Sequence, residues 1–204
     1  MDEPEVNDGL INDSKEAQLK NLLYLKDLHK DEIIQLLDQS DHFLKSNQPH
    51  EFVELLKNQS IASLFFEPST RTSASFQLAA KRLGAETIMI DEKTSSATKG
   101  ESVLDTIKNL EAMGVRGFII RTGDKNLFAP LIDNVGSNTS LISAGEASIS
   151  HPTQGLLDLL TIRQQKSSFD DLKVVIMGDI SHSRVARSLT CLLYTSDAAD
   201  DSLR

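Results

Sequence analysis

The chain has 204 residues, a formal net charge of −9 at pH 7 and 39% hydrophobic residues. This length predicts one domain, or one domain and part of a second, with enough apolar residues for a buried core. The acidic excess argues against nucleic-acid binding, and no apolar run is long enough to cross a membrane. A single cysteine excludes an internal disulfide, and no Cys/His group has zinc-site spacing. A cytoplasmic protein is expected.

The N-terminal residues 1–20 are rich in acidic residues and poor in apolar ones, which predicts a disordered acidic leader. Its acidity also disfavours a transit peptide. A helix is predicted over residues 25–45. One face of that helix is formed by Ile33, Leu36, Leu37, Ser40, Phe43 and Leu44.

From residue 60 onward, short apolar strands alternate with helices. Strands are predicted at 60–66, 86–90, 117–121, 139–143 and 172–179, and helices at 70–83, 103–113, 126–134, 152–164 and from 183 onward. This alternation predicts an α/β fold, with a parallel sheet covered by helices on both faces. Ligands of such sheets bind beyond the carboxyl ends of the strands, so the polar junctions after strands are the candidate sites.

The junction after the first of these strands has the sequence FEPSTRT, at a predicted helix N-terminus. Free backbone N–H groups and the helix dipole favour an anion at such an end. The hydroxyls add donors, and the planar fork of Arg71 matches phosphate oxygens. The alternative interpretation is an ordinary N-cap by Ser69. No Gly-Lys-Ser/Thr phosphate loop is present, which disfavours an ATPase.

Two further junctions carry cationic side chains. The loop of residues 91–102 contains Ser95 and Lys99, and a lysine donates to an anion as a point charge. Arg121 ends the strand GFIIR, at the expected carboxyl edge of the sheet. Alone, the loop is more simply interpreted as a solvated one, and Arg121 as a surface residue.

The remaining junctions are SHPTQ and GDISHSRVARS. His151 precedes Pro152, which biases its backbone to extended geometry, and Gln154 lies three residues further on, near the same helix N-terminus. Such a pair can donate to a carbonyl oxygen and accept from an amide. Arg184 and Arg187 lie on the first turns of the last helix and can meet a carboxylate, although alone they are more simply interpreted as ordinary surface cations. A strand followed by Gly-Asp also begins dinucleotide folds, but the glycine fingerprint is absent.

Together and in this order, the segments FEPSTRT, SSATKGES, strand-end Arg121, HPTQ and GDISHSRVARS resemble the aspartate/ornithine carbamoyltransferase family. The resemblance extends from about residue 21 to about residue 189. The HPTQ form and the serine–lysine loop are similar to the aspartate enzymes, because ornithine enzymes typically carry Cys in the third place and lack that loop. The resemblance implies transfer of a carbamoyl group from carbamoyl phosphate to L-aspartate in de novo pyrimidine biosynthesis, without a metal or organic cofactor.

The resemblance also implies a role for each candidate residue. Those expected to hold the phosphate are Ser69, Thr70, Arg71 and Thr72. Arg121 would bridge the phosphate and the carbonyl oxygen, His151 would approach that oxygen with Thr72 beside it, and Gln154 would take the carbamoyl amide. The expected catalytic set is Arg71, Thr72, Arg121 and His151.

The resemblance further implies an assembly. Ser95 and Lys99 would reach into the site of a neighbouring subunit, so active sites would be shared within a homotrimer. Arg184 would contact a carboxylate of aspartate. A regulatory subunit or another pyrimidine-pathway enzyme is a further candidate partner, whereas nucleic acid and membrane are not. Relatives often carry a basic residue and Glu where this chain has Ser73 and Gln77, which predicts an altered salt bridge.

The end of the chain departs from the family, which has a second domain of roughly a hundred more residues. The apolar period is lost after Leu193, and CLLYTSDAADD can be encoded by a common sequencing-library adaptor translated in frame. The expected divisions are a leader 1–20, a carbamoyl-phosphate-binding domain 21–150, an interdomain helix and linker 151–171, the start of a truncated aspartate-binding domain 172–190, and a non-native tail 191–204. Such a fragment is expected to be inactive alone.

Three alternatives remain open at this point. An ornithine carbamoyltransferase would make citrulline instead. A non-catalytic carbamoyltransferase-like scaffold would keep the fold, although this sequence retains the whole expected phosphate site. A dinucleotide-binding dehydrogenase domain would bind a nicotinamide cofactor, which a titration would detect.

Overall fold

The computed structural model describes residues 19–45, 54–91, 101–166, 168–169 and 171–195. The described helices are α1 (Lys30–Lys45), α2 (Thr70–Arg82), α3 (Val103–Ala112), α4 (Phe128–Asn134), α5 (Pro152–Gln165) and α6 (Arg184–Thr195). The strands are β1 (Ser60–Phe65), β2 (Glu86–Asp91), β3 (Gly117–Thr122) and β4 (Ser140–Glu146). Single 3-10 turns occupy Leu25–Asp27, Glu54–Leu56 and Ile180–His182.

The strands form one parallel sheet in the order β2-β1-β3-β4. A helix separates each pair of successive strands, as parallel pairing requires a crossover connection. In the sheet register, Phe65 pairs with both Asp91 and Arg121, and Thr122 pairs with Glu146. The carboxyl ends of the strands therefore share one edge, which is where the candidate side chains were expected.

Both faces of the sheet are covered, which confirms the predicted α/β fold. On one face, α3 and α4 pack against the strands through Ile107, Leu110, Phe128, Leu131, Leu64, Phe118, Ile120 and Leu141. The other face buries Phe65, Ile119 and Ala144 beneath Phe76 of α2. Full burial of one such Leu, Ile or Phe side chain is worth about 1.5–3 kcal/mol.

A second core joins α1, α5 and α6 to the segment before α1. Its buried members are Leu25, Leu28, Ile33, Leu37, Leu159 and Leu192. Gly155 lets α5 approach closely, because a Cβ there would lie 2.8 Å from Leu25 Cδ1 and 3.0 Å from Ser188 Cβ. At the far end of α5, Arg163 donates to Asp38 at 2.7 Å and to Asp41 at 2.6 Å, which ties α5 to α1.

One predicted element is wrong. Residues 172–177 form no strand, and both Val175 and Met177 are strongly exposed. A strand needs a neighbour to take up its backbone hydrogen bonds, and none of the described strands lies beside this segment. The predicted apolar face of α1 is also only partly buried, since Phe43 and Leu44 lie beyond its last buried residue, Leu37, and are exposed.

The disordered leader and the non-native tail, expected at the two ends of the chain, remain predictions. Residues 1–18 and 196–204 lie outside the described residues. The first part of the expected non-native tail is helical, because α6 extends to Thr195, and Leu192 is buried in the second core. Among the described helices, none has the length and apolar character needed to cross a membrane.

Leu159 tests the second core. It is 0% exposed, whereas Leu157 on the same helix is 55% exposed. We expect Leu159→Ala to lower the free energy of unfolding by about 2–5 kcal/mol, because it removes buried methyl groups and leaves a cavity. Urea unfolding measures this, with Leu157→Ala as the matched control. Equal losses for the two variants would contradict the packing described.

Candidate active site

The carboxyl edge of the sheet brings together two arginines that share one carboxylate and a histidine close to both arginines. Arg121 ends β3, His151 directly precedes α5, and Arg184 begins α6. Glu67 lies between β1 and α2. These residues are far apart in the chain, and the shared edge of the parallel sheet is what brings them together.

Arg121 is half-buried beneath this edge. Its Nη1 donates to the Ala144 carbonyl at 3.1 Å, and its Nε lies 3.6 Å from Glu67 Oε2. The buried Nε makes no hydrogen bond with the described residues. Burial and the charge of Arg184 lower the pKa of Arg121, and the charge of Glu67 raises it. The guanidinium keeps its charge at neutral pH, since arginine titrates far above it. Its Nε–H is therefore a charged hydrogen-bond donor without an acceptor among the described residues.

Glu67 is a site residue that the sequence interpretation missed. Arg184 Nη1 donates to Glu67 Oε2 at 3.0 Å and to the Ala147 carbonyl at 2.8 Å. The same carboxylate oxygen thus faces both arginines. The sequence did contain a signal for this residue. Glu67 directly follows the first predicted strand, so it was expected at the same edge of the sheet as Arg121.

Gly145 allows the two arginines to lie side by side. Its φ of +122° falls in the region that favours glycine. A Cβ there would lie 3.1 Å from Arg121 Nη1 and 3.2 Å from Arg184 Cζ. The guanidinium groups therefore pack against bare backbone at this position of β4.

His151 is 7% exposed, and its Nδ1 makes no hydrogen bond with the described residues. Burial, followed by the charges of Arg121 and Arg184, lowers its pKa to about 4. The imidazole is therefore neutral at physiological pH. Its main chain is fixed, because its N–H donates to Ser188 Oγ at 2.9 Å and this serine is itself buried.

The N-terminus of α2 is open. Ser69 occupies the N-cap position, but its side chain makes no capping hydrogen bond, and the first turn has no acidic residue. The simple N-cap interpretation therefore does not account for this serine. Arg71 is exposed and makes no hydrogen bond or ion pair within the described part of the chain. Thr70 and Thr72 lie beside it, and no contact with another described residue occupies their hydroxyls.

Helix α2 also shows what replaces the salt bridge expected in relatives. Gln77 Nε2 donates to Ser73 Oγ at 2.9 Å, a neutral hydrogen bond one helical turn apart. The altered contact lies next to the open N-terminus but leaves the hydroxyls of Ser69, Thr70 and Thr72 uninvolved.

The other predicted site residues are less engaged. Gln154 is half-buried, and its amide donates to Asp158 Oδ1 at 2.9 Å on the same helix. Ser95 and Lys99 lie outside the described residues. Across the described ranges, no group of three or more His, Cys, Asp or Glu residues is arranged to hold a metal ion.

His151 predicts a pH dependence of stability. Its folded pKa of about 4 lies below the ordinary 6.5, so its contribution is fully present above pH 6.5 and is lost as the pH falls towards 4. The shift corresponds to about 3 kcal/mol. Urea unfolding of the wild type should therefore lose up to this amount relative to His151→Asn over that range. The exposed His182→Asn serves as control, and parallel pH profiles for all three proteins would contradict the burial of His151.

Glu67 predicts competition for anions. Glu67→Gln removes the charge that faces Arg121 and Arg184 while keeping an acceptor oxygen. We expect inorganic phosphate to bind roughly tenfold more tightly, because the guanidinium groups lose a competing carboxylate. Calorimetric titration measures this, with the exposed Glu86→Gln as control. Unchanged or weaker phosphate binding would show that Glu67 does not occupy the anion site.

Known proteins resemble this chain over most of its described length. Residues 20–164 match the carbamoyl-phosphate-binding domain of the aspartate/ornithine carbamoyltransferases. An aspartate carbamoyltransferase catalytic subunit from Stenotrophomonas maltophilia is 50% identical over 175 residues, which are 84% of this chain and 55% of the relative. The corresponding Xanthomonas euvesicatoria subunit is 47% identical over 187 residues, 91% of this chain and 59% of the relative.

A solved structure has the same fold. Aspartate transcarbamoylase from Trypanosoma cruzi, in complex with carbamoyl phosphate and aspartate, superposes with a TM-score of 0.80 at 28% identity, covering 86% of this chain and 54% of that one. The chain thus spans between half and three-fifths of the length of these relatives. The matched residues contain the open α2 N-terminus, Arg121 and His151, and the chain belongs to the aspartate/ornithine carbamoyltransferase family.

Proposed function

We propose that this chain binds carbamoyl phosphate and takes part in transferring its carbamoyl group to the amine of L-aspartate. The products would be N-carbamoyl-L-aspartate and phosphate. N-carbamoyl-L-aspartate would then be used in pyrimidine synthesis. The observation that carries the proposal is the pairing of buried Arg121 and neutral His151 at the sheet edge, next to the open α2 N-terminus. The proposal is supported by relatives that are aspartate carbamoyltransferase catalytic subunits.

The phosphate is proposed to bind at the α2 N-terminus. Backbone N–H groups of the first turn and the positive end of the helix dipole attract an anion. The hydroxyls of Ser69, Thr70 and Thr72 add donors, and Arg71 adds a bidentate fork. No acidic residue in that turn repels the ligand. Phosphate would leave with its developing charge neutralised at the place where it was bound.

The carbonyl oxygen is proposed to lie between Arg121 and His151. The amine nitrogen attacks the carbamoyl carbon, a C–N bond forms, and the carbonyl π electrons move to the oxygen. The tetrahedral species then collapses: the oxygen electron pair re-forms the C=O bond, the C–O bond to phosphate breaks, and the proton on the former amine nitrogen passes to the departing phosphate. Donors fixed around the oxygen stabilise this species, and one donor can be worth about 2.7–4 kcal/mol.

His151 would act as a hydrogen-bond donor and not as a strong acid. With a pKa of about 4, its imidazole is neutral at pH 7 and has one N–H to offer. Its low pKa makes the imidazole a weak base for the attacking amine, and as a neutral group it adds no charge to the cationic edge. Gln154, whose amide now bonds Asp158, is the proposed partner of the carbamoyl NH2 group.

Arg184 is the proposed ligand of an aspartate carboxylate. It now bonds the Glu67 carboxylate at 3.0 Å, so the site already holds a carboxylate in front of this guanidinium. Substrate anions would have to share or displace that contact. Binding of carbamoyl phosphate at Arg121 and of aspartate at Arg184 would thereby be linked through Glu67.

The domain division and assembly are also proposals. Residues 21–150 would form the carbamoyl-phosphate domain, 151–171 the interdomain helix and linker, and 172–190 the start of an aspartate domain. The exposed apolar segment around Val175 and Met177 supports this last assignment. We also propose a cytoplasmic homotrimer, in which Ser95 and Lys99 would complete the site of a neighbouring subunit.

Carbamoyl phosphate binding tests the proposal directly. Removing a charge-assisted hydrogen bond costs about 1.5–3 kcal/mol, so Arg71→Ala should weaken binding roughly tenfold or more in calorimetry. Arg82→Ala, at the opposite end of α2, is the matched control and should bind as the wild type does. Equal affinities for all three proteins would refute the phosphate site. Formation of N-carbamoyl-L-aspartate is measured in parallel in the complete enzyme with its second domain, because the fragment alone is expected to be inactive. An unchanged rate for Arg71→Ala in the complete enzyme would refute the proposed catalysis.

A further inference from the structure

Gln154 and Asp158 form a side-chain pair on one face of α5. Gln154 Nε2 donates to Asp158 Oδ1 at 2.9 Å, and both side chains are half-buried. Residues four apart on a helix are neighbours on its surface, and a hydrogen bond between Gln and Asp at this spacing stabilises a helix modestly. Gln154 has a proposed role at the substrate, and Asp158 has none.

The Asp158 carboxylate determines which end of the Gln154 amide it meets. An ionised carboxylate is an acceptor only, whereas a glutamine amide has a donor end, the NH2 group, and an acceptor end, the carbonyl oxygen. Only the NH2 end can therefore bond Asp158, because the reversed orientation would bring two acceptor oxygens together. A hydrogen bond to a charged group is also stronger than a neutral one. The amide of Gln154 is thus held in one of its two orientations.

This orientation leaves the Gln154 carbonyl oxygen available. Oε1 accepts no hydrogen bond from another described residue, and within the described residues the Asp158 carboxylate bonds Gln154 alone. Because the amide group is planar, Oε1 lies on the side away from Nε2 and hence away from Asp158. One end of the amide is used within the helix, and the other end is an acceptor that lacks a donor among the described residues.

The position of the pair on α5 places this acceptor near the candidate site. His151 occupies the N-cap of α5, and Gln154 lies in the first turn, where its N–H donates to the His151 carbonyl at 3.1 Å. Helical side chains lean towards the N-terminus of their helix. Asp158 lies one turn further from that end. The carboxylate therefore holds the NH2 group on the side away from His151 and leaves the oxygen on the His151 side.

We propose that Asp158 is a positioning residue that fixes the Gln154 amide with its oxygen towards the substrate, so that the site selects a carbamoyl NH2 group. A carbamoyl NH2 group donates hydrogen bonds, and Gln154 Oε1 accepts one. A methyl group in the same place donates none and leaves this oxygen unpaired. A site built around a hydrogen bond to its ligand rejects an analogue that lacks the donor. The selectivity rests on the proposed function, whereas the orientation of the amide by Asp158 does not.

The selectivity is tested with carbamoyl phosphate and with acetyl phosphate, which carries a methyl group in place of the NH2 group. Calorimetric titration of the 204-residue chain gives both affinities and their ratio. Asp158→Asn keeps the size of the side chain, but its amide can donate to Gln154 Oε1 as well as accept from Nε2. Asp158→Glu keeps a carboxylate that only accepts. The matched control is Asp133→Asn, at an exposed position of α4.

We expect the wild type to prefer carbamoyl phosphate. Asp158→Asn should reduce this preference roughly two- to tenfold, the range that one net hydrogen bond supplies, because the Gln154 amide can then turn its NH2 group towards the ligand. Asp158→Glu should retain most of the preference, and Asp133→Asn should leave it unchanged. A role of Asp158 in helix stability alone would weaken both affinities together and leave their ratio as in the wild type.

The orientation of the amide is tested without any ligand. Nitrogen–proton correlation NMR follows the two side-chain NH2 protons of Gln154, and Gln154→Ala identifies them. In the wild type one of the two protons should be displaced downfield, because it bonds a carboxylate. The displacement should shrink in Asp158→Asn, whose neutral amide is a weaker acceptor, and persist in Asp158→Glu and Asp133→Asn.

The proposal is overturned if Asp158→Asn has the same ratio of affinities as the wild type, or if the Gln154 NH2 protons are alike in the two proteins. Should Asp158→Asn fail to fold, the wild type decides: equal affinities for the two phosphates, or two undisplaced Gln154 protons, would overturn the proposal. If the wild type binds neither phosphate, the proposed function fails, and the NH2 protons still decide whether Asp158 fixes Gln154.

Discussion

The Glu67 carboxylate, held between Arg121 and Arg184, is the interaction on which the rest of the site depends. Two guanidinium groups at a partly desolvated sheet edge repel each other, and a carboxylate shared between them offsets this electrostatic repulsion. Oε2 of Glu67 lies 3.0 Å from one guanidinium and 3.6 Å from the other. Gly145 permits the arrangement sterically, because a Cβ there would lie 3.1 Å from Arg121 Nη1 and 3.2 Å from Arg184 Cζ, closer than an ordinary van der Waals contact.

Burial first, and the same two positive charges second, lower the pKa of His151. Burial and the arginines keep this imidazole neutral, which suits a donor to a developing oxyanion better than a general acid. The edge thus separates two kinds of group. Arginines carry the permanent charge, and the imidazole is a neutral group whose protonation does not change near pH 7.

The geometry of the edge is supported from the two cores beneath it. Helix α6 presents Arg184 to Glu67, Ser188 to the His151 backbone and Leu192 to the second core. Gly155 lets α5 lie close enough for these three contacts to coexist. Glu146, the last residue of β4, begins the turn that precedes His151, and its N–H donates to the Ser150 carbonyl at 2.9 Å. Packing and site are therefore coupled through single residues of α6 and β4.

Local sequence alone determined the alternation of strands and helices, the parallel α/β class and the polar junctions, because period-two and period-3.6 apolar patterns and helix-end residues act over a few neighbours. It failed for residues 172–179, whose strand pattern has no strand beside it among the described residues. Tertiary structure decided that Glu67 joins two arginines, that His151 is neutral and that Glu146 is buried. These properties depend on which distant residues share one edge and on how far water is excluded, and neither is encoded in local spacing.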